Sequence, residues 1–63
     1  MGIKHLNTIE THFKRNKCKS FSRCFFVHEK NIHYEAVKQA IDYLLKKEKI
    51  RKFKEKGVEL FQW

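Results

Sequence analysis

The sequence predicts an α+β domain, mainly helical, with about three helices closed by a C-terminal β-hairpin. Three patterns carry this. Val37, Ala40, Ile41, Leu44 and Leu45 recur at helical spacing, and so do Ile3, Leu6, Ile9 and Phe13 nearer the N-terminus. Two β-prone runs, residues 50–54 and 58–63, flank the turn "EKG".

Taken in order, Ile3, Leu6, Ile9 and Phe13 fall on one face of a first helix. Asn7 and Glu10 have the spacing of a capping box, which would start that helix near Asn7 instead. The cations of "KRNK" suit its C-terminal end. Residues 18–22 read as a brief extended stretch, with Ser20 or Ser22 as cap of a second helix running to about Lys30. Phe21, Phe25 and His28 have helical spacing there, although "CFFV" also has strong β propensity.

The third helix is the plainest element, with its apolar stripe opposed by Glu35, Lys38, Gln39, Asp42 and Lys46. Ile32 and Val37 stand where a hydrophobic staple would close over a cap at His33. Beyond it, Gly57 supplies the positive φ of a three-residue hairpin loop with a bulge. Alternation sets Lys52, Lys54 and Lys56 on one side of the first strand and Arg51, Phe53 and Glu55 on the other. In the second strand Val58 and Leu60 oppose Phe61 and Trp63, so one side enters the core and the other is free to meet a partner.

At 63 residues the chain is read as one domain with a small core. Six Phe, two Tyr and one Trp compensate for its size and argue against disorder. Fifteen Lys and Arg against seven Asp and Glu give a net charge of +8, which favours polyanionic partners. The excess is clustered: residues 14–23 hold five cations and no acid, and residues 46–56 hold seven cations and two acids. No apolar run approaches the ~20 residues of a membrane span, and residues 3–13 are too polar for a secretory leader. Position 6 is Leu, so the myristoylation pattern at Gly2 fails. The expectation is an intracellular, cytoplasmic protein with no membrane partner.

On "NIHYEAVKQAIDYLLKKEKI" followed by "RKFKEKGVELFQW", the chain resembles the winged helix-turn-helix family of DNA-binding proteins. The likeness spans nearly the whole chain and departs from the pattern where a Gly usually joins third helix and wing; "KKEKI" stands there instead. It implies a winged helix over residues 1–63, in which helix 33–48 reads the major groove of duplex DNA and the wing, residues 50–63, touches phosphates or the minor groove. Physics supports the assignment, because a helix fits the major groove and its N-terminal polar residues reach base edges.

Those residues are His33, Tyr34, Glu35, Lys38 and Gln39. Gln39 suits adenine, Lys38 suits guanine or a phosphate, and Glu35 suits cytosine N4 or limits the docking angle. Lys52, Lys54 and Lys56 would neutralise phosphates from the wing, with Arg15, Lys17, Lys19 and Arg23 as a second backbone-contact patch. Tyr34 and Tyr43 serve packing more readily than base stacking. The partner expected is double-stranded DNA, in a transcriptional regulator that forms a homodimer through Phe61 and Trp63. The same scaffold could alternatively meet an acidic protein.

A metal site competes with this reading. Cys18, Cys24 and His28 have the spacing C-x5-C-x3-H and resemble the last three ligands of a CCCH zinc finger, a family that binds single-stranded RNA. The first cysteine of that pattern is missing, leaving His33 or the closer His12 as fourth ligand. Against it, Cys24 also reads as a small buried residue and Cys18 as an incidental thiol, while a Cys18–Cys24 disulfide is unfavoured in a reducing compartment. The expectation is therefore no cofactor. No nucleophile–base pair with an orienting group and no phosphate-cradling Gly loop suggests an enzyme or a small-molecule substrate.

Overall fold

The computed structural model describes residues 2–63. The chain forms α1 (Leu6–Arg15), β1 (Ser20–Phe21), α2 (Arg23–Glu29), α3 (Tyr34–Lys46), β2 (Arg51–Glu55) and β3 (Val58–Gln62). Three helices pack on a three-stranded antiparallel sheet of order β1-β3-β2.

α1 starts later than the Ile3 spacing predicts. Ile3 lies before it, its carbonyl accepting from the Leu6 N–H at 3.2 Å, and packs against the core from outside the helix. The capping box at Asn7 does not form either. The N-cap is His5, at φ 60°, and its side chain makes no capping bond. At the other end Asn16 Nδ2 donates to the His12 carbonyl at 2.8 Å, which satisfies one of the last orphan acceptors.

The brief extended stretch is β1, and it enters the sheet as a partner of β3, pairing Ser20 with Gln62 and Phe21 with Phe61. Ser22 then caps α2, its hydroxyl accepting from the Phe25 N–H at 3.2 Å. The cap decides the residues 20–30 ambiguity in favour of helix, and Phe26 becomes the fully buried residue of α2. α2 closes through Asn31 at φ 54°, a left-handed conformation that Asn tolerates well.

α3 is capped by His33, whose Nδ1 accepts from the Glu35 N–H at 3.2 Å. Ile32 and Val37 flank that cap and are both buried, as a staple requires. The missing glycine after α3 has a clear substitute. Glu48 takes the left-handed conformation, φ 59°. Its N–H donates to the Leu45 carbonyl and the Lys49 N–H to the Leu44 carbonyl, each at 2.9 Å, which is the double closure of a Schellman motif.

The hairpin loop is shorter than the three residues expected. Glu55 pairs directly with Val58, leaving Lys56 (φ 53°) and Gly57 (φ 81°) as a two-residue turn. Positive φ at both central positions is the type I′ geometry, whose twist matches the strands without a bulge.

The core is one cluster: Ile9 and Phe13 of α1, Phe26 of α2, Val37, Ala40, Ile41 and Leu44 of α3, with Ile32, Ile50 and Phe61 closing its ends. Each of these side chains other than Ala40 contributes about 1.5–3 kcal/mol when fully buried, and a 63-residue chain has few to spare. Phe61 is completely buried, so it is a core residue and not the dimer contact expected of it. Its partner in that expectation, Trp63, is half-buried, with Lys14 Nζ 6.0 Å from the ring centroid. No helix of the described residues is long and apolar enough to cross a membrane.

Candidate nucleic-acid interface

α3 turns Val37, Ala40, Ile41 and Leu44 inward, and the 3.6-residue period therefore leaves His33, Tyr34, Glu35, Lys38 and Gln39 on the outside. All five are exposed, and Tyr34 keeps 45% of its surface. The His33 ring is partly committed, because one nitrogen caps the helix. Tyr43 is half-buried, with Lys47 Nζ 5.7 Å from its ring centroid, in keeping with a packing role. Acids temper the charge of the exposed face: Glu35 and Asp42 offset Lys38 and Lys46.

The cationic field therefore comes from elsewhere. Residues directly opposite in an antiparallel ladder share a sheet face. Lys52 stands opposite Phe61, and Lys54 opposite Glu59. Phe61 is in the core, so Lys52 and Lys54 lie on the sheet face turned to the helices. Arg51, Phe53 and Glu55 occupy the outer face with Gln62, Leu60 and Val58. Lys56 sits in the turn beyond both. Lys52, Phe53, Lys54 and Glu59 line an open depression of about 240 Å³.

Arg23 joins this hairpin to α3. Its Nη1 donates to Glu59 Oε1 at 2.6 Å, its Nη2 lies 3.9 Å from Asp42 Oδ1, and its guanidinium carbon is 4.9 Å from the Phe61 ring centroid. Arg23, expected as a DNA backbone contact, is paired within the chain with two partly exposed carboxylates. The Arg23 hydrogen bond is the main cause that holds the Glu59 carboxyl below its ordinary range; desolvation opposes it, and the charges of Arg23, Lys52 and Lys54 each add a smaller lowering effect. Sequence reading missed Asp42 and Glu59 as partners of Arg23 because no local spacing marks contacts across 19 and 36 residues.

A shallow depression of about 220 Å³ brings Ser22, Arg23 and Cys24 of the α2 start together with Tyr34 of α3 and Val58 and Glu59 of the hairpin. The start of α3 and the hairpin thus border one concave surface. The α1–β1 cations do not line it. Lys17 and Lys19 are exposed near the sheet's end, where Gln62 Nε2 donates to the Lys17 carbonyl at 3.1 Å. Arg15 lies apart from the hairpin, in a depression shared with Asn7, Thr8, Thr11, His12 and Lys30.

The structure does not assemble the zinc site considered from the sequence. Cys18 and Cys24 are both free and exposed, which also corrects the buried reading of Cys24. Among the described residues no three His, Cys, Asp or Glu side chains gather where they could hold a metal ion, so no three of Cys18, Cys24, His28 and His33 converge. His12 is enclosed by aromatic rings, 4.6 Å from the Phe21 centroid and 5.1 Å from that of Phe25. No protein-family model, curated protein or solved structure matches the chain.

Proposed function

We propose that the chain is a winged helix-turn-helix protein that binds duplex DNA inside the cell and regulates transcription without catalysing a reaction. The element order α1-β1-α2-α3-β2-β3, with β1 closing against β3, supports the winged-helix assignment. The observation that carries the functional reading is a juxtaposition. The exposed N-terminal half of α3 borders the hairpin whose Lys52 and Lys54 face the helices. In this reading His33, Tyr34, Glu35, Lys38 and Gln39 enter the major groove, and Lys52, Lys54 and Lys56 neutralise flanking phosphates.

The near-balance of charge on α3 fits a division of labour, in which the helix reads bases and the hairpin supplies affinity. Arg23, Asp42 and Glu59 act as a brace that fixes the angle between the two. The test is a Lys38→Ala, Gln39→Ala double substitution, assayed by duplex affinity and footprint. A loss of about five-fold or more follows if either side chain makes a good base contact worth about 1–3 kcal/mol. Unchanged affinity and an unchanged footprint would remove α3 from the interface.

A further inference from the structure

The sheet order leaves β2 at an edge, with β3 on one side and solvent on the other, and every residue of β2 is exposed. An unpaired edge is a template for another strand. We propose that β2 pairs antiparallel with β2 of a second copy about Phe53, once a polyanion neutralises Lys52 and Lys54. The polyanion half of this proposal rests on the DNA-binding reading; the pairing itself does not.

The register follows from the hairpin. In a two-residue loop the flanking residues, here Glu55 and Val58, exchange both ladder hydrogen bonds. Alternation then turns the backbone groups of Arg51, Phe53 and Glu55 toward β3 and those of Lys52 and Lys54 toward the open edge. A second β2 must bond to Lys52 and Lys54. Matching Lys52 with Lys54 of the second copy places Phe53 opposite Phe53, and Arg51 opposite Glu55 twice over.

A shift of two residues in the paired position of either strand loses both ion pairs and sets Phe53 opposite Arg51 or Glu55. The sequence "RKFKE" is thus complementary to itself in one register. On the outer face the two Phe53 rings would meet beside Leu60, covering a patch where Phe53 is 39% and Val58 50% exposed.

The opposite face explains why this edge does not pair freely. The same register sets Lys52 opposite Lys54 twice, so four ammonium groups gather on the side of the helices. Like charges directly opposite are destabilising, and lysines on an edge strand commonly guard against such pairing. A phosphate backbone lying across those four lysines reverses the sign of their contribution. The two-fold axis of antiparallel pairing is perpendicular to the sheet, so both α3 helices would stand on the lysine side, facing one ligand.

The test begins with Lys52→Gln, Lys54→Gln in the full chain, which removes the repulsion without DNA. Sedimentation should show a concentration-dependent dimer, with the native circular dichroism retained. Adding Arg51→Glu should return it to monomer, and adding Glu55→Arg to that variant should restore the dimer. Mixing an Arg51→Glu chain with a Glu55→Arg chain, both in the Gln background, should give a heterodimer.

A folded Gln variant that stays monomeric at high micromolar concentration overturns the proposal, and so does a dimer indifferent to the Arg51 and Glu55 exchanges. For the wild-type charges, a Phe53→Cys chain with Cys18→Ser and Cys24→Ser, held with oxidised glutathione as the two-electron oxidant, should form a 53–53 disulfide on a duplex and not without it. A duplex that binds without promoting that disulfide overturns the polyanion gate. If the duplex does not bind at all, the DNA reading fails, and the pairing stands or falls on the Gln variants alone.

Discussion

Arg23 Nη1 and Glu59 Oε1 lie 2.6 Å apart, joining the first residue of α2 to the second residue of β3. With Asp42 at 3.9 Å from the same guanidinium, this pair relates the hairpin to α3. Because Arg23 lowers the Glu59 pKa, the interaction stabilises the fold above the ordinary carboxylate range and is lost as pH falls through the lowered folded value. Arg23→Gln should therefore raise the Glu59 pKa in an NMR titration and flatten the acid limb of the stability curve. A Glu59 titration unaffected by the substitution would show that the pair does not persist in solution.

His12 presents the complementary case. Its Nε2 is shut off from solvent without a hydrogen-bond partner, and burial among Phe21, Phe25 and Phe26, followed by the charge of Lys30, lowers its pKa. A histidine that resists protonation in the fold gives stability that is full above its unfolded pKa of about 6.5. That stability falls as pH drops from there toward the lower folded pKa. The thermal midpoint should decline between neutral and mildly acidic pH, and His12→Leu should remove that part of the decline. An identical pH profile in the variant would contradict the assignment.

Glu48 occupies the position where a helix end favours glycine, at φ 59°. A side chain in this region costs about 1–2 kcal/mol, which the greater unfolded-state freedom of glycine offsets by about 0.5–1 kcal/mol. Glu48→Gly should raise stability by about 0.5–1 kcal/mol, or several degrees in Tm for a domain of this size. A lower Tm would mean that Glu48 makes a contact that outweighs its backbone strain.

What the sequence disclosed and concealed follows the range of each interaction. The α3 stripe, the Ser22 cap and the His33 cap depend on neighbours within a turn, and all three were legible. Glu48 shows the limit of residue preference: the turn forms with the wrong residue because the Leu44 and Leu45 carbonyls still need donors. The exposed polar face of α3 was legible from the same stripe. The ion pairs of Arg23 were not legible because its partners lie 19 and 36 residues away and only the folded topology brings them close. Phe61 was misjudged because both sides of β3 carry apolar residues, and the pairing with Phe21 decides which side is core.

Lys56 has a backbone and a ligand role that substitution can separate. Asn tolerates the left-handed conformation that Lys56 adopts at φ 53°. Lys56→Asn should stabilise the hairpin by about 0.5–1 kcal/mol while weakening duplex binding several-fold. Gly57→Ala, at φ 81°, should destabilise it by about 1 kcal/mol or more. Stability and affinity moving together in Lys56→Asn would place that lysine outside the interface.

The most direct measurement is the affinity of the purified chain for a pooled random duplex and for a pooled single strand, each at two salt concentrations. The account predicts tighter binding to duplex, with log affinity falling against log salt by about 0.9 for each phosphate contacted. Preference for the single strand, or duplex binding indifferent to salt, would contradict it.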